Sequence, residues 1–267
     1  MPEVLGSADQ RALLRRGLAM HRLTRGDARF TYYGRAVGVP ALDDAPLAQV
    51  FDLVRLQGNT GVMAVPGQQV AALAEQVEAA GFAPAVYDRW TGGAPALDAA
   101  RRIMAGPGLP DGYRARWLGP DTPADIVASF AATALGAGVL PPALPALTGA
   151  LLPGVTCLAV TDAGQVASCA AAVAFLDPSH SQGRDECWWG MLATHPDHRG
   201  ARLSLYLGAM AMAEMHRRHG FSRFMTGVAP GNAGSEIICA RAGLERSGLA
   251  ILGVADPTLL PGGRMTR

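Results

Sequence analysis

The stretch Leu192-Ala-Thr-His-Pro-Asp-His-Arg-Gly-Ala-Arg-Leu-Ser204 constrains the fold more than any other part of the chain. Upstream of it, residues 186–194 read as a strand. Downstream, residues 202–219 carry Leu203, Leu207, Met210 and Ala213 on one face of a long helix. The helix closes on His216-Arg-Arg218 and Gly220, which suit a helix C-terminus. Strand, Pro-containing turn and helix therefore follow one another within a few residues. The first turn of such a helix leaves backbone N–H groups unpaired and presents the positive end of the macrodipole. A pyrophosphate fits there.

The rest of the pattern divides the chain in two. Residues 8–20 can form a helix, 30–33 a short strand and 47–56 a second helix. Residues 61–65 are an apolar strand, Pro66-Gly67 a turn, and 68–80 a helix with Val70, Leu73 and Val77 on one side; Gly81 ends it and 82–87 form another strand. This β-α-β unit predicts an α/β N-terminal domain over residues 1–95. Residues 96–110, rich in Gly and Pro around a short helix at 97–104, read as a linker. A second domain then spans 111–267: a strand at 112–118, a helix at 123–135 capped by Asp121, a helix at 142–151, and strands at 156–161 and 166–175 joined by Asp162-Ala-Gly164. The strand at 186–194 and the helix at 202–219 follow, then a strand at 224–228, a short helix at 233–241 and a last strand at 249–254. No internal repeat is visible in the sequence.

At 267 residues, 49% hydrophobic and 17% charged, the chain has ample core for two globular domains. A formal charge of +1 argues against a nucleic-acid partner. Every cationic side chain is arginine, a bias that with the abundant Ala, Gly and Pro suits a GC-rich bacterial genome. Any side-chain cation that grips phosphate must then be a guanidinium fork. Cys157, Cys169, Cys187 and Cys239 form no CxxC pair and read as buried free thiols, in keeping with a reducing cytoplasm. Residues 1–10 lack an apolar signal core and no run matches a membrane span, so a cytoplasmic protein without membrane contact is expected.

The order strand, two helices, three antiparallel strands, long helix, strand, short helix, strand resembles the GNAT (GCN5-related) N-acetyltransferase fold. The fold class expected is thus α/β (α+β), with the smaller N-terminal domain a candidate degenerate GNAT-like half. The family's signature at the phosphate turn is Arg/Gln-x-x-Gly-x-Gly/Ala. Here Arg199 matches its first position, Gly200 and Ala201 follow, Arg202 stands where the family usually has Gly, and Leu203 and Ser204 open the helix. A helical backbone at Arg202 would not itself require Gly, and its guanidinium can pair with a phosphate. A second match is Asn232-Ala-Gly-Ser-Glu-Ile-Ile-Cys-Ala-Arg-Ala-Gly-Leu244. The family's Asn contacts CoA, although Asn232 is also a good helix N-cap. The family's Tyr, thought to protonate the departing thiolate, is here Cys239; a buried inert thiol is the plainer reading of it.

By the same resemblance, the amides of Leu192, Ala193 and Thr194 support the thioester, acetyl-CoA is the acyl donor, and no metal takes part. Glu186 is the candidate base, since Cys187-Trp188-Trp189 could desolvate it. A solvated hairpin end, or a water relay in its place, stays open. One of the two tryptophans is expected in the core and the other beside the acceptor cleft. The pairs His195/His198 and His216/His219 invite a metal reading, but one lies in the phosphate turn and the other at a helix end beside two arginines. Family acceptor pockets are built from the segment that is here 121–153, with Phe130, Leu135, Val139, Leu140, Leu144 and Leu147, which suggests an apolar acceptor. Acetylation of a small-molecule or peptide amine is the leading reading, with a non-catalytic acyl-CoA sensor as the alternative. Homodimer formation is left open. A Rossmann-type nucleotide domain is disfavoured because no GxGxxG opens a βαβ unit.

Overall fold

The computed structural model describes residues 1–43 and 46–260. In chain order the elements are α1 (Ala8–Thr24), β1 (Val39–Ala41), α2 (Leu47–Gln57), β2 (Asn59–Pro66), α3 (Val70–Ala79), β3 (Ala83–Gly92) and α4 (Ala94–Met104). They continue with β4 (Tyr113–Trp117), α5 (Ala124–Gly136), α6 (Leu144–Leu147), β5 (Gly154–Thr161), β6 (Val166–Ala174), β7 (Glu186–Thr194), α7 (Leu203–His219), β8 (Arg223–Val228), α8 (Ala233–Arg241) and β9 (Glu245–Ala255).

All of the strands join one sheet in the order β1-β2-β9-β3-β8-β7-β6-β5-β4. This order contains a hidden two-fold. In the C-terminal half, β7 and β8 run parallel with α7 between them in sequence, and α8 leads on to β9. In the N-terminal half, β1 and β2 run parallel with α2 between them, and α3 leads on to β3. Each half lends its last strand to the other: β9 lies between β2 and β3, and β3 lies between β9 and β8, with every one of these pairings antiparallel. The N-terminal half is therefore a shortened copy of the C-terminal architecture, and the two share a continuous ladder.

Strand alternation explains which residues reach which face. Trp189 and Phe224 point to the side covered by α4, α7 and α8 and join Met212, Met215 and Cys239 in one core cluster. Their neighbours Trp188 and Met225 point the other way and pack with Phe130, Leu144 and Leu158 under α5 and α6. Around β2 and β9, Val62, Leu252 and Val254 meet Val50, Val54 and Val77 of α2 and α3. All four cysteines are free and buried. No described helix is long and apolar enough to cross a membrane.

Several local expectations change. Most of the expected linker is α4, whose Ala96, Leu97, Ala99 and Ala100 are buried against the core that α7 shares, while Arg101 and Arg102 stay outside. The strand expected at 30–33 is reduced to isolated bridges from Thr31 to Gly38 and Leu176, and the first true strand is β1. Asp121 does not cap α5: the N-cap is Pro123, and the Thr122 hydroxyl instead accepts the Gly119 N–H. The helix expected at 142–151 shrinks to α6, because Gly149 turns left-handed (φ +79°) with a Cβ position only 2.8 Å from the Gly154 carbonyl oxygen.

His21 gives the fold a pH dependence. It is 7% exposed, stacks on Tyr32 at 4.3 Å, and its Nε2 has no hydrogen-bond partner. Burial, helped by the Arg25 charge, brings its pKa down from 6.5 to about 4. The unfolded chain thus binds the extra proton first. Stability is fully present above pH 6.5 and drains away as the pH falls toward 4, by on the order of 2 kcal/mol after allowance for solvent screening. His21→Phe keeps the stack and should flatten this slope in denaturant titrations at pH 7 and pH 4.5. An identical slope in the variant would exclude His21 as its source.

Candidate active site

The sheet opens between β7 and β8. The two strands pair only at Glu186–Arg223, Cys187–Phe224 and Trp188–Met225, and then diverge. A cleft of about 340 Å³ fills the gap, with Trp188, Gly190, Met191 and Leu192 on one wall and Met225 to Ala229 on the other. Trp188 borders this cleft, whereas Trp189 faces the core and donates its indole N–H to the Gly208 carbonyl at 3.0 Å.

A bulge aims the backbone of β7 into the gap. Between the pairs Cys169–Ala193 and Ala171–Gly190, β7 carries one residue more than β6, and Met191 adopts φ +58°. A buried non-glycine residue in this region is strained by about 1–2 kcal/mol. His195 N–H donates to Ala167 O at 2.8 Å. Because donor direction alternates along a strand, Ala193 also faces β6, while Leu192 and Thr194 turn their N–H groups toward the space that β8 has vacated. Two of the three expected thioester amides therefore face the gap, and that of Ala193 belongs to the ladder.

Past Thr194, a 3₁₀ turn at Pro196–His198 leads to the start of α7. Its imidazoles serve the turn: His195 accepts the Asp197 N–H, and His198 Nδ1 lies 2.9 Å from the Tyr113 hydroxyl on β4. At the other pair, His216 Nδ1 lies 2.9 Å from the Phe221 carbonyl. Arg199, Gly200 and Arg202 are exposed, Ala201 and Ser204 half-buried, and Leu203 buried. Arg202 is the N-cap of α7 and sits at φ +58°, ψ 21°. This corrects the sequence expectation that the position is helical. The backbone there is left-handed, which is the physical reason a glycine is favoured at this place. No side chain caps α7, so the amides of its first turn stay open to solvent or ligand.

From α8, Asn232 and Cys239 line the cleft. Asn232 acts as N-cap, its side chain accepting the Ser235 N–H at 3.1 Å. Cys239 is 1% exposed, and burial, with a smaller push from the Glu236 carboxylate, raises its thiol to about 12. Glu186 is not brought to the cleft. It is 1% exposed at the closed end of the β7–β8 gap, where Arg89 of β3 donates to its Oε2 at 2.5 Å and Arg223 Nε stands 4.0 Å from Oε1. Among the described residues lining the cleft there is no carboxylate and no imidazole.

The far end of the cleft comes from the N-terminal half. Its floor crosses three strands at the register Gly61–Gly253–Ala85, where the absence of bulk leaves a trough. Tyr87 lines it beyond, and Tyr33 and Arg35 enclose it from the loop before β1. Of the apolar residues expected to shape an acceptor pocket, only Val139 lines the cleft. Phe130, Leu144 and Leu147 belong to the core under α5 and α6, and Leu140 packs on Val4 and Leu14.

No protein-family model matches the chain, and no curated protein matches it significantly by sequence. Solved structures do match. A GCN5-related N-acetyltransferase from Kribbella flavida superposes with a TM-score of 0.55 at 17% identity, over 94% of this chain and 96% of that one. The fold is that of the GNAT N-acetyltransferases. The X-ray structure of a Drosophila protein gives a TM-score of 0.53 at 15% identity, over 92% of this chain and 87% of that one. A GNAT-family protein from Novosphingobium aromaticivorans gives 0.44 at 20% identity over 64% of this chain, which spans 63% of that protein's length. The likeness to the Kribbella protein runs through both halves of this chain.

Proposed function

We propose that the protein transfers an acyl group from acyl-CoA to an amine. The observation that carries this reading is the β7–β8 gap, into which a bulged strand turns the N–H groups of Leu192 and Thr194, a few residues before the uncapped first turn of α7. The donor's pyrophosphate would lie on the amides from Leu203 onward, with Arg199 and Arg202 free to pair with its phosphates. Asn232 would flank the pantetheine arm. The amine would enter from the end lined by the N-terminal half.

In the reaction the amine nitrogen bonds to the thioester carbonyl carbon, and the resulting oxyanion is held by the Leu192 N–H group next to the bulge, leaving that of Thr194, two residues on, for another polar group of the donor. Collapse breaks the C–S bond, and the thiolate leaves. With no carboxylate or imidazole among the described lining residues, the ammonium proton passes to water rather than to Glu186. The leaving thiolate is also protonated by solvent, because a thiol raised to about 12 at Cys239 is a poor donor to it.

The same pair of observations, no carboxylate or imidazole among the described lining residues and a buried Cys239, favours a second reading, a sensor that binds acyl-CoA without turnover. Calorimetry with acetyl-CoA, followed by thiol release over a broad amine panel, tests both. Binding with turnover supports the enzyme, binding without turnover the sensor, and absence of binding at millimolar ligand removes both. If it is an enzyme, Cys239→Ala should keep its turnover within about threefold, since a small buried side chain is lost and no proton donor with it. A drop beyond a hundredfold with an unchanged fold would restore Cys239 as the acid.

A further inference from the structure

The residue that neither the fold nor the transfer chemistry explains is Arg35. It is 9% exposed, yet no carboxylate lies within ion-pairing distance of it among the described residues. Its Nη2 donates to the Leu140 carbonyl at 2.5 Å and lies 3.9 Å from Met191 Sδ, while its Nε has no partner. The guanidinium lies 5.7 Å from the ring centres of both Tyr33 and Trp188, which stack on each other at 4.9 Å.

The backbone beneath it is locked in place. Tyr32 N–H donates to Phe175 O at 2.8 Å and Ala143 N–H to Gly34 O at 2.6 Å, tying the loop to the C-terminal half. On the other side, α1 approaches so closely that a Cβ on Gly17 would stand 2.0 Å from the Arg35 carbonyl oxygen. A rigid loop therefore holds a desolvated, unpaired cation on the wall of the cleft beside the bulge at Met191. A buried guanidinium without an anion is unfavourable, and its planar fork matches a carboxylate.

We propose that Arg35 binds the carboxylate of the acceptor, so that the substrate is a small amino acid-like amine. This rests on the acyl-transfer reading above and names its substrate class. Because Arg35 touches Met191, next to the amide of Leu192, the carboxylate and the reacting amine are separated by only a short spacer, as in an α-amino acid or a short ω-amino acid. The aromatic pair of Tyr33 and Trp188 shields the ion pair from water.

The test uses the full chain and a panel of L-α-amino acids and short ω-amino acids, each beside its carboxamide. Two readouts run in parallel: thiol release from acetyl-CoA, and thermal stabilisation of the protein by each amine alone. At least one carboxylate-bearing amine should exceed its carboxamide by about a hundredfold in kcat/KM and should stabilise the protein where the carboxamide does not. Arg35→Met, which keeps the side-chain length, should erase both differences, leave acetyl-CoA affinity unchanged and raise the melting temperature, because an unpaired buried charge has gone. Arg35→Lys should retain part of the preference. A variant that lost acetyl-CoA binding would be judged by Arg35→Lys alone.

Loss of turnover with every amine would count against the acyl-transfer reading, and stabilisation by carboxylates in the wild type but not in Arg35→Met would still support the site. Equal response to acids and carboxamides in the wild type, or an undiminished preference in Arg35→Met, overturns the proposal. So does a preference that follows a carboxylate on the acyl group, with succinyl-CoA favoured over acetyl-CoA whichever amine is offered.

Discussion

Ser204→Asp is expected to abolish acetyl-CoA binding while leaving the protein as stable as before, or slightly more so. Arg202 is the N-cap of α7, so Ser204 is the second residue of its first turn and no side chain satisfies the amides there. A carboxylate at this place interacts favourably with the helix dipole, by about 0.3–1 kcal/mol. The same carboxylate would stand roughly 5 Å from a pyrophosphate bound to those amides. At an effective dielectric of about 20 the repulsion is about 3 kcal/mol per charge pair, enough for more than a hundredfold loss of affinity. Ser204→Ala removes the hydroxyl without the charge and should bind within a few-fold of the wild type. Calorimetry on the three proteins beside their melting curves makes the comparison, and the deficit should shrink at high salt. Unchanged affinity in Ser204→Asp would mean that the pyrophosphate does not lie on α7.

How much of this site the sequence discloses depends on whether a feature is local. The turn at 196–200 and the helix after it are written in neighbouring residues, and the elements appear where the pattern puts them. The left-handed backbone at Arg202 was not legible, because an arginine there conceals the conformation that a glycine would have signalled. The exchange of β3 and β9 was hidden for a different reason. Each strand shows the same apolar pattern whichever neighbours it pairs with, and the two halves share topology without sharing sequence. From that followed the larger omission. The end of the cleft on the N-terminal side is built by Gly61, Ala85 and Gly253, which become one trough only through cross-strand register, and by Arg35, whose loop carries no periodic signal at all. A short helix rich in alanine between glycines and prolines reads as a linker for the same reason: what holds α4 is its burial beside α7, a tertiary fact.

The side chain whose meaning changes most is Glu186, and its replacement separates two accounts of it. The sequence places a carboxylate before Cys187-Trp188-Trp189, as a base tuned by its apolar neighbours would be. In the fold it accepts a hydrogen bond from Arg89, and both are nearly excluded from solvent at 1% and 7% exposure. The pair ties β7 to β3 across β8, and so links the C-terminal half to the strand that the N-terminal half contributes. Glu186→Gln would leave the Arg89 charge buried without a counter-ion, and breaking a buried pair from one side costs about 3–5 kcal/mol. For a chain of this size that corresponds to a fall of roughly 10 °C in melting temperature. Arg89→Gln should behave alike, and the double variant, with two neutral amides in contact, should be more stable than either single variant, giving a coupling of about 3 kcal/mol or more in a double-mutant cycle. Activity per folded molecule, measured well below the melting temperature, should then stay close to wild type in Glu186→Gln. A base behaves otherwise: turnover would fall by a hundredfold or more with the melting temperature unmoved, and neutralising Arg89 would rescue nothing. Melting curves and turnover on the same four proteins decide between the tie and the base.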